Sequence, residues 1–382
     1  MPGAVNAAPY WRLSGFYLFY FATLGALVPY WGLYLKSLGF HAVQIGQLMA
    51  VLMATRIVAP NLWGWIADHT GRRIAIIRLA ALLALLTFTG VLFGRGFWWL
   101  ALVMSVFSFF WNAALPQFEA ATLNHLGDHT HRYSRIRLWG SIGFILTVTG
   151  VGSLLDRYGA GVLPLILLAL FAGIWLSSLS APQDAARPAP ATRESLSAVL
   201  RRPGVAALLA ASFLMQVGHA PYYTFYTIYL KDHGYTGTVV GQLWALGVIA
   251  EIGVFLIMSR LLARFGPRRL LLASLALAGL RWLLIAWFVD SLVVLAFAQT
   301  LHAASFGVYH ATAIYLVHRF FTGHHQGRGQ ALYSSLGFGA GNAVGSLYSG
   351  YLWAFQGPSV VYSVSALVSA AAFVVVYRGV RM

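Results

Sequence analysis

The chain has nine acidic and twenty-five basic side chains in 382 residues, and most lie in short polar connections. Seven ionisable residues fall instead inside long apolar runs: Arg56, Glu119, His219, Glu251, Arg281, His302 and His310. A charge at the centre of a bilayer costs about 2.5–3.5 kcal/mol, so four unpaired ions would cost on the order of 10 kcal/mol, as much as a whole domain's net stability. Such groups must pair, face water or change protonation state. The chemistry open to them is binding of a charged solute and reversible protonation, the two tasks of a transport centre.

Their spacing indicates partners. Glu251 lies thirteen residues before Arg264, and Arg281 lies twelve after Arg269. At about 1.5 Å per residue both reach a depth of roughly 18–20 Å on consecutive helices, where they can meet. Glu119 and Arg137 flank one connection at similar depth and form a second expected pair. The competing reading is that these are ion pairs that only fix helix packing; against it, such pairs are often no better than apolar contacts. His302 and His310 are eight apart, roughly 12 Å along a helix. They cannot share one metal ion, whose ligands converge at about 2 Å. They are either packing residues or proton carriers. Gln216, His219, Tyr222 and Tyr223 make a polar stripe interrupted by Pro221, and in lipid those groups should face a cavity.

The elements that must carry these groups are legible from composition. Hydrophobic residues make up 59% of the chain and charged ones 9%, against about 25% charged in a soluble domain. A water-soluble globular fold is excluded. Twelve apolar runs begin near Leu13, Val43, Ile74, Trp98, Leu138, Gly159, Pro203, Val239, Leu270, Leu292, Gln330 and Ser359, each long enough for the roughly 20 residues of a membrane span. The first has no small-residue cleavage site after it and reads as a retained span. There is no cysteine, so disulfide and thiolate chemistry are excluded.

The net charge of +16 is a topology signal. Nearly all arginines fall in alternate connections, whereas the other side holds only Lys36, Arg95, Arg157 and Lys231. The positive-inside rule places both termini in the cytoplasm, in a cell inner (plasma) membrane where the basic loops also meet anionic lipid. No basic folded face exists for nucleic acid.

The chain repeats itself. Displaced by 195 residues, Tyr34-Leu35-Lys36 matches Tyr229-Leu230-Lys231, Gly39 matches Gly234, and Gly46-Gln47-Leu48 matches Gly241-Gln242-Leu243. Arg56 and Glu251 occupy equivalent positions with opposite charge. Two copies of six spans share one orientation about an axis along the membrane normal. The expected fold is therefore all-α integral membrane, with six-helix bundles at 1–180 and 203–382 and a cytoplasmic linker at 181–202.

Gly64-Trp-Ile-Ala-Asp68-His-Thr-Gly71-Arg72-Arg73 resembles the signature loop of the major facilitator superfamily, with a degenerate second copy from Ser259 to Arg269. The resemblance implies that Gly64, Asp68, Gly71, Arg72 and Arg73 form a cytoplasmic gate. Phe19 to Tyr30, Arg135 to Gly143 and Gln299 to His302 resemble lactose-permease-type proton symporters. Gln216 to Tyr223, Trp244 to Glu251 and Arg281-Trp282 are more similar to the phenylpropionate permease group. The lactose-permease likeness implies solute contacts from Glu119 and Arg137, a stacking ring at Phe144 and a functional histidine at His302. Ser305 stands where that branch has its proton-carrying glutamate, so Glu251, His302 or His310 must take that role.

The resulting expectation is a monomeric, proton-coupled secondary transporter of a small aromatic carboxylate. It has no cofactor besides the coupling proton, and a sugar or nucleoside symporter is the alternative. No His-Glu-x-x-His, Gly-x-Ser-x-Gly or phosphate-binding loop supports an enzyme or an ATP-driven pump.

Overall fold

A computed structural model describes residues 9–182, 196–323 and 325–380. The centre of the expected linker, residues 183–195, lies outside the described residues. These are all helical or in short connections, without a strand. In chain order the helices are α1 (Tyr10–Ser37), α2 (Ala42–Thr70), α3 (Arg73–Phe88), α4 (Phe97–Leu126), α5 (Tyr133–Tyr158) and α6 (Leu163–Ser180). A short α7 (Leu196–Leu200) precedes α8 (Pro203–Asp232), α9 (Gly237–Trp287), α10 (Leu292–Thr300), α11 (Tyr309–Phe320), α12 (His325–Ser334), α13 (Asn342–Gln356) and α14 (Pro358–Gly379). Ten helical segments among the described residues are long and apolar enough to cross a membrane.

Two features make ten segments of what the sequence divides into twelve runs. The 51-residue α9 contains Gly266 at φ 72°, ψ 159°, outside helical geometry. A single straight helix of that length would measure about 75 Å, far beyond a bilayer. Only glycine takes such a dihedral without strain, and Pro267 follows to start the second part. The second feature is a wide π-helical turn, Ser335–Gly341, that divides α12 from α13. A matching π turn, Ala303–Val308, divides α10 from α11. Such turns mark functional positions more often than chance.

The residues cluster into two compact units. One comprises Met1–Leu27, Val58–Val148 and Val162–Pro188. Its interior is aromatic: Phe16 stacks on Phe118 with centroids 3.8 Å apart, and Phe88 meets Phe107 and Phe171 at 5.0 and 4.9 Å. Arg78 ties α3 to the end of α6 by donating to the carbonyls of Ser178, Leu179 and Ala181, a cation placed on helix C-terminal dipoles.

The other comprises Val28–Ile57, Thr149–Gly161 and Ala189–Met382. Leu208, Met215, Leu271, Leu275, Leu316 and Val376 form its core. This unit takes in the ends of α1, α2 and α5 remote from the arginine-rich loops, so its border does not follow the repeat. Leucines facing outward identify the lipid surface: Leu256 is 80% exposed, while Arg281 is fully buried. Arg281 therefore faces the interior of this unit.

Candidate functional site

Within the second unit, Arg281 on α9 is the centre of a polar cluster. Its Nη1 donates to His302 Nδ1 at 3.0 Å and to Ser305 Oγ at 3.4 Å, and its Nη2 donates to Gln299 Oε1 at 3.1 Å. Tyr222 on α8 donates to the same Gln299 oxygen at 3.0 Å. The guanidinium lies 4.2 Å from the Tyr222 ring and 4.8 Å from that of Trp282, two cation–π contacts in a desolvated place. His302 Nε2 faces Glu251 Oε2 at 3.5 Å.

This geometry fixes a tautomer. Arginine can only donate, so His302 Nδ1 accepts and carries no proton. The imidazole hydrogen therefore sits on Nε2 and points at Glu251. A second proton on His302 would have to displace its bond from Arg281. The expected meeting of Glu251 and Arg281 thus takes place through His302, which stands between them.

His219 on α8 sits against Trp282, with ring centroids 4.8 Å apart. Its Nδ1 donates to the Met215 carbonyl at 2.9 Å, which leaves Nε2 as an acceptor. That atom, Arg281 Nε and Trp282 Nε1 are buried without a hydrogen-bond partner among the described residues. Buried polar atoms are normally paired, and these three depart from that rule. Gln216 is buried on the same helix, while Tyr223 is half-buried. His310, one turn beyond Phe306, has Nδ1 at 2.9 Å from the Tyr333 hydroxyl. Arg56 on α2 is half-buried, and its backbone approaches the second π turn, where a Cβ on Gly339 would lie 3.0 Å from the Ile57 nitrogen.

The other unit holds the second expected pair. Arg137 Nε is 3.9 Å from Glu119 Oε1, and both side chains are nearly one-third exposed. Tyr133 donates to the same carboxylate oxygen at 3.3 Å. The Arg137 guanidinium lies 3.7 Å from the Phe21 ring. Gly140 makes room for this stack, because a Cβ there would lie 2.8 Å from both Arg137 Nη1 and the Phe21 ring. At 3.9 Å the ion pair is longer than a hydrogen bond, and a bound oxygen can compete for either partner. Phe144 is half-buried and lies with its backbone against Gly25, where a Cβ would meet its carbonyl at 2.7 Å.

The signature loop in that unit is also built. Arg73 Nη2 donates to Asp68 Oδ1 at 2.9 Å, and its Nε donates to Gln117 Oε1 on α4 at 3.2 Å. Gly64 lets Gln117 approach, with 3.2 Å available to a Cβ, and Gly71 turns the chain at φ 64°. Arg72 is exposed and separate from that bond set; its backbone N–H reaches Thr70 Oγ1 at 3.4 Å.

The sequence reading missed the end remote from the arginine-rich loops. There, in the second unit, Asp156 accepts from the Gly237 and Thr238 backbone N–H groups at 2.6 and 2.8 Å, from Thr238 Oγ1 at 3.0 Å and from Lys231 Nζ at 3.1 Å. It satisfies two of the four orphan donors at the start of α9. Lys36 pairs with Asp232. The backbones close in around them: a Cβ on Gly152 would lie 2.2 Å from the Gly237 carbonyl, and one on Gly46 would lie 2.8 Å from the Gly350 Cα. The signal was the repeated Tyr-Leu-Lys and Gly-Gln-Leu, taken only as evidence of duplication. Gln299, Ser305, Trp282, Phe306 and Tyr333 were also left out of the site, although Gln299, His302 and Ser305 recur every three residues on one face.

Many apolar helices around a buried charge centre describe a multi-pass membrane protein, and its relatives make it a transporter of small molecules, not an enzyme. Residues 10–364 match the MFS_1 like family, and the chain belongs to that family of major facilitator transporters. It is 30% identical over 364 residues, 94% of each chain, to the probable 3-phenylpropionic acid transporter of Escherichia coli strain K12. It is 28% identical over 365 residues to the maltose permease of Geobacillus stearothermophilus, covering 92% of this chain and 91% of that one. Its fold resembles a mutant of the nucleoside transporter NupG, with a TM-score of 0.85 at 18% identity over 97% of this chain and all of the other.

Proposed function

We propose that this chain is a secondary active transporter that couples proton entry to symport of a small aromatic carboxylate by alternating access. It crosses the cell inner membrane twelve times as a monomer, in two six-helix bundles (1–180 and 203–382), with the linker 181–202, the signature loop and both termini in the cytoplasm. The observation that carries the reading is the Arg281–His302–Glu251 series: a permanently charged donor, a neutral imidazole and a carboxylate in contact within an apolar body, with Arg281 and His302 buried. The 30% identity to a protein named for 3-phenylpropionic acid supports the substrate class.

In this reading Arg137 receives the substrate carboxylate, because it is accessible and its ion pair is loose. Charge-assisted bonds to a carboxylate are about twice as strong as neutral ones, so the substrate displaces Glu119. The Phe21 and Tyr17 rings beside Arg137 offer flat apolar faces to a ring. Protonation of Glu251 releases His302, and Arg281 then exchanges partners, which links proton binding to rearrangement of α9 against α10. The proton is the only coupling ion and no cofactor takes part.

A sugar or nucleoside symporter is the second reading. The separated Glu119 and Arg137 suit adjacent hydroxyls, and the maltose permease identity favours it. The test is uptake of labelled 3-phenylpropionate into proteoliposomes under an imposed pH gradient, with maltose and uridine as competitors. Accumulation that disappears with an ionophore and resists both competitors supports the first reading. Accumulation indifferent to the gradient ends the coupling proposal.

A further inference from the structure

The π turn between α10 and α11 has a consequence for proton movement. In a regular α-helix, residues eight apart differ by about 80° around the axis. One extra residue accommodated in a π turn takes back roughly 100°, which brings such residues to within about 20° of one face. His302 and His310 bracket the turn Ala303–Val308 and do share a face. Both lie flat on opposite sides of Phe306, with centroids at 5.2 and 5.7 Å and planes within 4° and 7° of parallel. His318, a further eight residues on, is exposed with Nδ1 2.9 Å from Gln326 Nε2. The three histidines thus pass from buried through half-buried to exposed toward the arginine-rich end.

We infer that Phe306 is a proton barrier set between the Glu251–His302 pair of the transport centre and His310 on the exit side. The inference rests on the proton-coupled reading. The groups facing His302 are Arg281 and Glu251 of α9, Tyr222 of α8 and the ring of Phe306. Among those facing His310 are the Tyr333 hydroxyl of α12 and the rings of Phe306 and Phe338. His219 of α8 also approaches Phe306, at 6.3 Å between centroids. A phenyl ring has no proton site, and with an imidazole on each face it leaves no polar route along the stack. The Tyr333 hydroxyl donates to His310 Nδ1 or accepts from it according to the imidazole's protonation, so it stays bonded in either state. The ring therefore keeps the proton on the Glu251 side until α10 and α11 rearrange, which is what tight coupling requires.

The test is passive proton flux into proteoliposomes holding a pH-sensitive dye, with a valinomycin-clamped potential and no substrate. Phe306→Ala is expected to raise the flux about tenfold or more over the unaltered protein. Phe306→Leu, which still excludes water, should restore a low flux. Phe306→Ala combined with His310→Gln should fall back toward the original rate. Melting temperature and gel-filtration profile verify that each variant is folded. A folded Phe306→Ala with unaltered flux, or a leak undiminished by His310→Gln, overturns the inference. Substrate-driven proton uptake by the unaltered protein is recorded in parallel. Its absence with a leaky Phe306→Ala refutes the coupling reading alone, and its presence with a tight Phe306→Ala refutes the barrier alone.

Discussion

Asp156→Ala should open the end of the protein remote from the arginine-rich loops. Asp156 on α5 holds the first two backbone N–H groups of α9, the Thr238 hydroxyl and Lys231, and its side chain is about one-quarter exposed. A carboxylate at a helix N-terminus is worth about 0.5–2 kcal/mol, and a partly exposed ion pair adds about 0–1 kcal/mol. The substitution therefore removes about 2 kcal/mol from the closed arrangement. At roughly 1.4 kcal/mol per tenfold, the closed-to-open ratio falls about 25-fold. An open form present at about 1% would rise to about a fifth of the molecules. The chain has no cysteine, so spin labels can be attached to Ser37→Cys and His233→Cys alone, both at exposed positions of this end. Pulsed dipolar spectroscopy should show a second, longer distance in the Asp156→Ala background that is nearly absent without it. Identical distance distributions in a folded variant would refute the assignment of Asp156 as the tie.

Three further outcomes are expected. One proton moving down a one-unit pH gradient carries about 1.4 kcal/mol, enough for about tenfold accumulation; Glu251→Gln should lose that factor in uptake while retaining exchange of labelled for unlabelled substrate. Arg281→Ala leaves His302 Nδ1 buried without its donor and Gln299 Oε1 with Tyr222 alone, and loss of one member of a buried charged set costs about 3–5 kcal/mol; a sharp fall in melting temperature in detergent checks this. Arg281→Lys keeps the charge but lacks the fork that reaches two acceptors, so it should recover part of the stability and little uptake. Gly140→Ala places a methyl where Arg137 lies over Phe21 and should raise the KM for uptake about tenfold, the equivalent of a displaced cation–π contact and carboxylate ligand.

The spans and the paired charges were legible because they depend on local quantities. Apolar run length located the helices, and depth along them placed Glu119 beside Arg137 and Glu251 near Arg281. What stayed hidden depends on irregular backbone or distant packing. The π turn after Thr300 alters the helical period, so no count at 3.6 residues per turn puts His302 and His310 over one ring. His302 was not foreseen between Glu251 and Arg281 because its place there depends on packing against α9 from a separate stretch of chain. Asp156 was passed over because the connections were read for orientation only, and its partners on α9 lie more than 80 residues away. The compact units depart from the repeat because Gly46, Gly152, Gly237 and Gly350 permit backbone contacts that a composition scan does not reveal. Gly266 gave a clearer signal: followed by proline between two long apolar runs, it ended one helix where the sequence expected a loop.

The most direct measurement is the proton itself. Proteoliposomes with no imposed gradient are given 3-phenylpropionate while an internal dye records pH. Acidification of the lumen that begins with the substrate, saturates with it and disappears in Glu251→Gln is the predicted result. Entry of labelled 3-phenylpropionate with no change in internal pH would contradict the account.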